Sequence, residues 1–412
     1  MNVYSGNGTP RAVVVGGGIG GLTAAVALIR RGWRVTVLER AAQLKPVGAG
    51  IGLAPNAQRA LDVIGLGDDI RALAAWQGEG GLRTPSGRWL SRTDPQAAAE
   101  AFGGPMVLLH RATLIDTLSA ALPEGTVRTG ESAELVDRGA AERPAVVRAA
   151  EGDIEADLVV GADGIHSALR KALFPAHPGT AYSGFTTWRV VVPDPGRPFA
   201  PHETWGPGRI WGTQPLKDGR LYAYAATRTP QGGRAADGEL AELRRLFSTW
   251  HDPVPAVLEA AEGGPVLRND VHWIAEALPA YHRGRVALVG DAAHAMAPTL
   301  GQGGNQAIED AIVLAHHADP HGDLATGLAR YSAERLPRTM GIVRRADRTA
   351  RITMLRNPVA GAVRNALISA VSALGPAFAL RSFADIATWQ PPRRTYADQA
   401  RKQDAPRQKE TP

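Results

Sequence analysis

The chain has no cysteine among its 412 residues. That excludes disulfides, thiolate metal sites and dithiol redox chemistry, and it fits a reducing, cytoplasmic setting. Long charge-free apolar runs are missing too, so no stable membrane insertion is expected. The most apolar stretch, Val359 to Leu380, is interrupted by Arg364, Asn365 and Pro376. It reads as an amphipathic helix packed on the body, with docking on a membrane surface as the alternative. Met1 to Pro10 is polar and turn-rich and lacks the apolar centre of a secretory signal. No His, Asp or Glu cluster has metal-ligand spacing, so no metal is expected. The net charge of +6 comes largely from the stretch Arg335 to Arg356 and the tail. With no helix-turn-helix pattern, zinc spacing or aromatic–basic interleaving beside it, a solvated basic face is expected and no nucleic-acid partner.

What is present is ordinary globular composition, 44% hydrophobic and 21% charged, in a chain long enough to enclose a cofactor. Arg11 to Val15 is a short β-branched run and predicts a buried strand. Glycines follow at 16 to 18, 20 and 21, then helical spacing from Leu22 to Arg31 and a second apolar strand from Val35 to Leu38. This strand–loop–helix–strand order predicts a doubly wound unit with a parallel sheet. Further apolar strands are expected at Asp157 to Val160 and at Val286 to Val289. Between about Tyr182 and Ala280, Trp, Tyr and Thr alternate with polar residues around turns such as Lys217-Asp218-Gly219, which predicts an inserted antiparallel sheet. After Leu336-Pro337 the chain is expected to be helical and Arg-rich.

Gly16-Gly17-Gly18-Ile19-Gly20-Gly21 satisfies G-x-G-x-x-G. Gly16 permits the tight turn, Gly18 lets a pyrophosphate approach the backbone, and Gly21 lets helix and strand pack closely. Phosphates would sit on the helix N-terminus, at Ile19 and Gly20, where free N–H groups favour negative charge. Glu39, followed by Arg40, stands about twenty residues on, where a carboxylate can accept from ribose hydroxyls. The loop alone fits NAD and FAD equally.

Two later segments separate those cofactors. Asp157-Leu-Val-Val-Gly-Ala-Asp163-Gly164-Ile-His-Ser167-Ala-Leu-Arg170 resembles the Asp-Gly motif of the flavoprotein aromatic hydroxylases. Gly290-Asp291-Ala-Ala-His294-Ala-Met-Ala-Pro298-Thr-Leu-Gly301-Gln-Gly303-Gly304-Asn305, continuing through Asp310 to Leu314, resembles that family's second FAD motif. Together with the glycine loop, the chain resembles the single-component FAD-dependent monooxygenases of the para-hydroxybenzoate and salicylate hydroxylase type.

The resemblance implies an α/β fold: a Rossmann-like FAD-binding domain with an inserted mixed or antiparallel substrate sheet and C-terminal helices. Expected boundaries are 1–80, 104–180 and 281–345 for the FAD domain and 81–103 with 181–280 for the substrate domain. A helical region at 346–395 and a disordered tail at 396–412 would follow. It further implies that Asp291 hydrogen-bonds the ribityl chain and that Gly301 to Gly304 bring amides to the flavin's pyrimidine edge. A helix over Asn305 to His316 would aim its positive end there. Arg111, opening a helix that runs to Leu122, would contact FAD from outside. Ala49 and Gly50 would pass close to the isoalloxazine, and Asp163-Gly164, backed by Arg170, would serve FAD and a passing nicotinamide. Asp163 and Ser167 also suit a turn and helix cap, Arg170 reads equally as a solvated helix residue, and His294 reads as structural.

On the substrate side, Gly184-Phe-Thr-Thr-Trp188-Arg189 and Asp218-Gly-Arg-Leu-Tyr222 resemble segments that carry an active-site arginine and tyrosine. Strand alternation allows only one of Trp188 and Arg189, and one of Leu221 and Tyr222, to reach a pocket. Arg189 would hold an acidic or carbonyl group and Tyr222 would orient a phenol; as ordinary sheet residues, Arg189 would instead pair with a carboxylate. The implied chemistry is hydride transfer from NADH or NADPH to FAD, then reaction with O2 to a flavin hydroperoxide attacked by an electron-rich carbon. The substrate would be a small aromatic or polyketide-like molecule, and the protein a monomer or homodimer. Candidate bases are His110, Tyr222 and Tyr224. No second glycine motif opens a strand–helix unit, so no dedicated nicotinamide domain is expected. A flavin oxidase or dehydrogenase on the same fold, and a flavin-binding protein without turnover, are the alternatives.

Overall fold

The β-branched run Arg11–Val15 forms an inner strand of a six-stranded sheet in a computed structural model that describes residues 8–44, 49–74, 80–196, 199–373 and 383–392. Gly48 and the tail from 396 fall outside those residues. The strand order is His282–Arg283, Val286–Leu288, Leu158–Gly161, Arg11–Val15, Arg34–Glu39 and Val127–Thr129, all parallel except the first. Register decides what this sheet can do. Val15 lies opposite both Leu38 and Gly161, and Gly161 opposite Leu288. The loops after these strands therefore emerge side by side at one edge, where open α/β sheets bind ligands.

The seven-stranded second sheet runs Leu267–Trp273, Ala181–Pro193, Arg220–Thr227, Arg209–Pro215, His202–Gly206, Gly80–Arg83, Trp89–Thr93. It is antiparallel except where His202–Gly206 meets Gly80–Arg83. Two helices inside this region, Glu239–Phe247 and Val254–Ala260, were not expected. They exist because the sheet has an apolar outer face. Trp188, Val190, Val192, Leu221, Ala223 and Ala225 are covered by Leu243, Phe247, Trp250 and Val257. Burying that face removes several large side chains from water, at about 1.5–3 kcal/mol each.

Two C-terminal expectations need correction. Pro337 does not open the helical region; one helix, Leu324–Thr353, runs through it. Proline removes one helical hydrogen bond, but Arg335 and Arg338 on either side are anchored to Glu309, which holds the helix in line. The segment from Val359 is a helix, Pro358–Ala373, but it buries Gly361 and Arg364 and exposes Val359, Val363 and Leu367. Arg364 donates to the Ile352 and Thr353 carbonyls and stacks on Trp205. A guanidinium satisfying helix-end carbonyls thus decides which face turns inward.

Beneath the loops lies a buried charge cluster. Arg335, with no exposed side-chain surface, reaches Glu309 at 2.6 Å and Asp310 at 2.7 Å. Arg338 also pairs with Glu309, and Asn56 donates to it at 2.6 Å. Asp310 accepts from the Gly290 amide at 2.8 Å and contacts the His294 ring nitrogen at 2.5 Å. Burial would raise the Asp310 carboxyl, but His294 and Arg335 outweigh it and bring it down to about 2. Glu309 is likewise held low against burial by Arg335 and Arg338.

Arg335→Met is expected to cost about 3–5 kcal/mol in urea unfolding, because it leaves two buried carboxylates short of a partner. Asp310's contribution to stability should be complete above its unfolded value of about 3.8 and disappear as pH falls through about 2. Asp310→Asn should therefore flatten the acid limb of the stability profile.

Candidate active site

A cavity of about 690 Å³ runs from the glycine loop to the inner face of the seven-stranded sheet. At its first end the helix Ile19–Arg30 begins three residues earlier than the apolar spacing suggests. Ile19 and Gly20 therefore sit in its first turn and line the cavity with Gly18. Gly16 makes the turn at φ 111°, and a Cβ there would fall 2.3 Å from the Ala162 carbonyl oxygen. Only glycine tolerates both. Gly21 packs against the Gly16 carbonyl, with no room for a Cβ. Glu39 ends its strand and accepts from the Gly17 amide at 2.7 Å, which points the carboxylate at the loop. Arg40 is exposed.

The second wall is the start of the helix Gly303–His317, two residues earlier than expected. Gly301, at φ 61°, turns the chain, and Gly301, Gly303, Gly304 and Pro298 line the cavity. The first amides of this helix have no partner four residues back, so the site receives free N–H groups and the positive end of the dipole. Asn305 is a lock: its Oδ1 accepts from the Ala54 amide, and its Nδ2 donates to the Gly52 and Gly301 carbonyls. It fastens the strand Gly50–Leu53 to the helix start, so that Ala49 and Gly50 also line the cavity.

Gly290 and Asp291 line the cavity, as does Arg111 at the start of the helix Arg111–Ala120. The Arg111 guanidinium is lowered from its ordinary value mainly by burial, with Asp291 opposing that and Arg189 adding to it. Asp163 faces its own helix, accepting from the Ser167 hydroxyl at 2.5 Å and the Leu169 amide, while Gly164 reaches the cavity. Arg170 is not a solvated helix residue. It is 6% exposed and donates to the carbonyls of Ile165, Asp291 and Ala292, tying two cavity loops together.

On the sheet side, alternation resolves as one face in and one face out. Arg189 and Tyr222 line the cavity, while Trp188 and Leu221 are buried behind it. Arg189 donates to the Asn269 side chain. Tyr222 lies against Gly50, where a Cβ would fall 2.4 Å from its ring. Burial lifts the Tyr222 phenol to about 12, against a lowering by Arg189, so it is a donor near neutral pH. Tyr224 is raised well above 10, first by burial and then by Glu203. His110 is not in the cavity lining; its ring is lowered by burial and then by Arg220.

Sequence reasoning missed Glu203 and Gln214, which also line the cavity. Glu203 accepts from Tyr224 Oη at 2.8 Å and Trp205 Nε1 at 2.5 Å, and burial raises its carboxyl despite both donors. The only sequence signal was a lone acid two residues before a tryptophan in a strand. The remaining wall mixes the polar Thr187, Asn269, Asp270, His272 and Thr299 with the apolar Phe185, Ile210, Leu216, Met296 and Met354.

Glycine loop, strand-end carboxylate and a second helix start at one sheet edge define a dinucleotide-cofactor protein. The cavity continues beyond them along the face of the seven-stranded sheet. A family model described as FAD binding domain matches residues 10–346. The aurachin C monooxygenase/isomerase of Stigmatella aurantiaca is 36% identical over 372 residues, covering 87% of this chain and 94% of that protein. The 3-amino-4-hydroxybenzoate 2-monooxygenase of Streptomyces cremeus is 36% identical, covering 82% and 86%. The crystal structure of Klebsiella pneumoniae HpxO with FAD and uric acid superposes at a TM-score of 0.83 with 28% identity, over 94% of this chain and 98% of that one. The chain belongs to the FAD-dependent monooxygenases of the aromatic hydroxylase type.

The residues present fit FAD. Two helix starts face the cavity, and no atom lies within 4 Å of a Cβ placed on Gly18. That open space is what a pyrophosphate needs against the backbone. Gly18→Ala is therefore expected to leave the melting temperature within about 2–4 °C of the parent, while the FAD dissociation constant rises about tenfold or more, measured by quenching of flavin fluorescence.

Proposed function

We propose that this protein is an NADH- or NADPH-dependent, O2-consuming hydroxylase of a small aromatic or polyketide-like substrate held in the cavity. The observation that carries the reading is the continuity of that cavity from the glycine loop to the apolar sheet face. FAD, when bound, accepts hydride from the nicotinamide and activates dioxygen so that one oxygen atom passes to the substrate.

The chain's own residues supply binding, electrostatics and exclusion of water. Glu39 would take ribose hydroxyls, and the amides of Gly18 to Gly20 the pyrophosphate. Asp291 would hold the ribityl chain, and the amides at Gly303 and Gly304 would stabilise negative charge developing on the ring. Arg111, on the cavity lining, would contact FAD on its outer face. Gly164, held by the Asp163 cap and by Arg170, would shape the nicotinamide approach. Phe185, Ile210, Met296 and Met354 keep water from the reacting ring, where it would divert oxygen to hydrogen peroxide. Tyr222 and Arg189 would orient the substrate from the sheet face. HpxO is seen with uric acid and the Streptomyces enzyme acts on an aminohydroxybenzoate, which supports a substrate of the aromatic class.

Turnover with isotopic oxygen gas is the test. Product carrying one labelled atom from O2, with substrate-stimulated oxidation of NADH or NADPH, is expected. Substrate oxidation without label would assign a flavin oxidase or dehydrogenase instead. Arg189→Ala should raise KM about tenfold or more for a substrate bearing an acidic or carbonyl group, with kcat changed less, if the guanidinium binds ground state and transition state alike.

A further inference from the structure

One row of paired residues crosses four strands of the seven-stranded sheet. Arg189 is opposite Tyr224, Tyr224 opposite Gly212, and Gly212 opposite Glu203. Three strand spacings put the arginine and glutamate backbones roughly 14 Å apart. Gly212 is what allows the far end of this row to be wired together. A Cβ there would lie 2.1 Å from Tyr224 Cζ and 2.5 Å from its oxygen. The phenol therefore lies directly across that strand and donates to Glu203 Oε1 at 2.8 Å. Trp205 holds the other carboxylate oxygen. Both carboxylate oxygens keep a lone pair, since each can accept more than one hydrogen bond. Gln214, opposite Tyr222, lines the cavity too, and its Oε1 is buried without a hydrogen-bond partner. Such an acceptor is costly to leave unmatched.

We propose that Glu203, Tyr224 and Gln214 form an acceptor subsite that selects aromatic substrates through a ring hydroxyl or N–H donor and disfavours a carboxylate at that end. The inference rests on the cavity being the substrate site, as proposed above. Its physical basis is the inventory of the subsite. Tyr224 and Trp205 spend their donor hydrogens on Glu203, and the Gln214 side chain hydrogen-bonds Tyr224, which leaves the carboxylate oxygens and the Gln214 amide oxygen to meet the ligand. A ligand hydroxyl or N–H satisfies them; a ligand carboxylate would face Glu203 across a wall of Ile210, Ala226 and Met296. The cation of the row, Arg189, stands at the opposite end, so the sheet face carries a built-in direction for an asymmetrically substituted ring.

The test uses three bicyclic probes that differ in one group: 2-naphthol, 2-methoxynaphthalene and 2-naphthoate. Each is titrated calorimetrically into the FAD-loaded protein, and flavin content is read from absorbance in the same samples. 2-Naphthol is expected to bind about tenfold more tightly than 2-methoxynaphthalene, and about tenfold more tightly than 2-naphthoate in an Arg189→Ala background, where the carboxylate has no cation at the opposite end of the row. Glu203→Gln and Tyr224→Phe should each shrink that preference to about threefold or less, and Glu203→Gln should improve 2-naphthoate. Each variant removes a different member of the pair, so if one fails to fold the other still decides. Equal affinities for 2-naphthol and 2-methoxynaphthalene, tightest binding of 2-naphthoate in the Arg189→Ala background, no binding of 2-naphthol, or an unchanged preference in the folded variants overturns the subsite. A protein that takes up no flavin overturns the cofactor reading instead, which keeps the two failures apart.

Discussion

Arg335, buried between Glu309 and Asp310, is the interaction on which the site's geometry rests. Removing three charges from water is costly and is offset only if every partner is in place. Here Glu309 also receives Arg338 and Asn56, and Asp310 receives the Gly290 amide and His294. The same two carboxylates belong to the helix whose first turn faces the cavity. One cluster thus positions the helix start, the Gly290-Asp291 turn and the long helix Leu324–Thr353. Asn305 then transfers that position to the strand Gly50–Leu53.

The two sheets divide the work. The parallel sheet brings three loops to one edge through its register, so that amides from separate parts of the chain converge. The larger sheet offers a face on which Arg189, Tyr222, Tyr224 and Glu203 alternate with residues buried behind it. That outer layer, with its two short helices, buries the face opposite the cavity. Arg170 links the loops after Gly161 and Val289 through carbonyls alone, a contact between chain segments more than 120 residues apart.

Much of this was legible beforehand where function depends on local chain geometry. The glycine loop, the two later motifs and the strand alternation at Arg189 and Tyr222 state their own conformational needs within a few residues. The helix Glu239–Phe247 was also within reach, since Leu240, Leu243 and Phe247 follow helical spacing. The surrounding aromatic, turn-rich texture hid it. Arg170 and Arg335 were not legible, because a guanidinium's partners are chosen by the fold; on composition alone both resemble solvated residues. Glu203 looks like any strand glutamate until Gly212 lets Tyr224 cross to it.

The resemblance of two motifs to a family pointed to the cofactor, while sequence patterning by itself determined the parallel nucleotide-binding unit and the presence of an inserted sheet. Those depend on φ at glycine, on β-branched runs and on period-two patterning, all of which are short-range. Tertiary structure alone decided which face of the last helix is buried, which arginines are structural, and where an acid stands in the cavity. Those outcomes depend on long-range pairing of charges in low dielectric, whose energy is set by partners tens or hundreds of residues away.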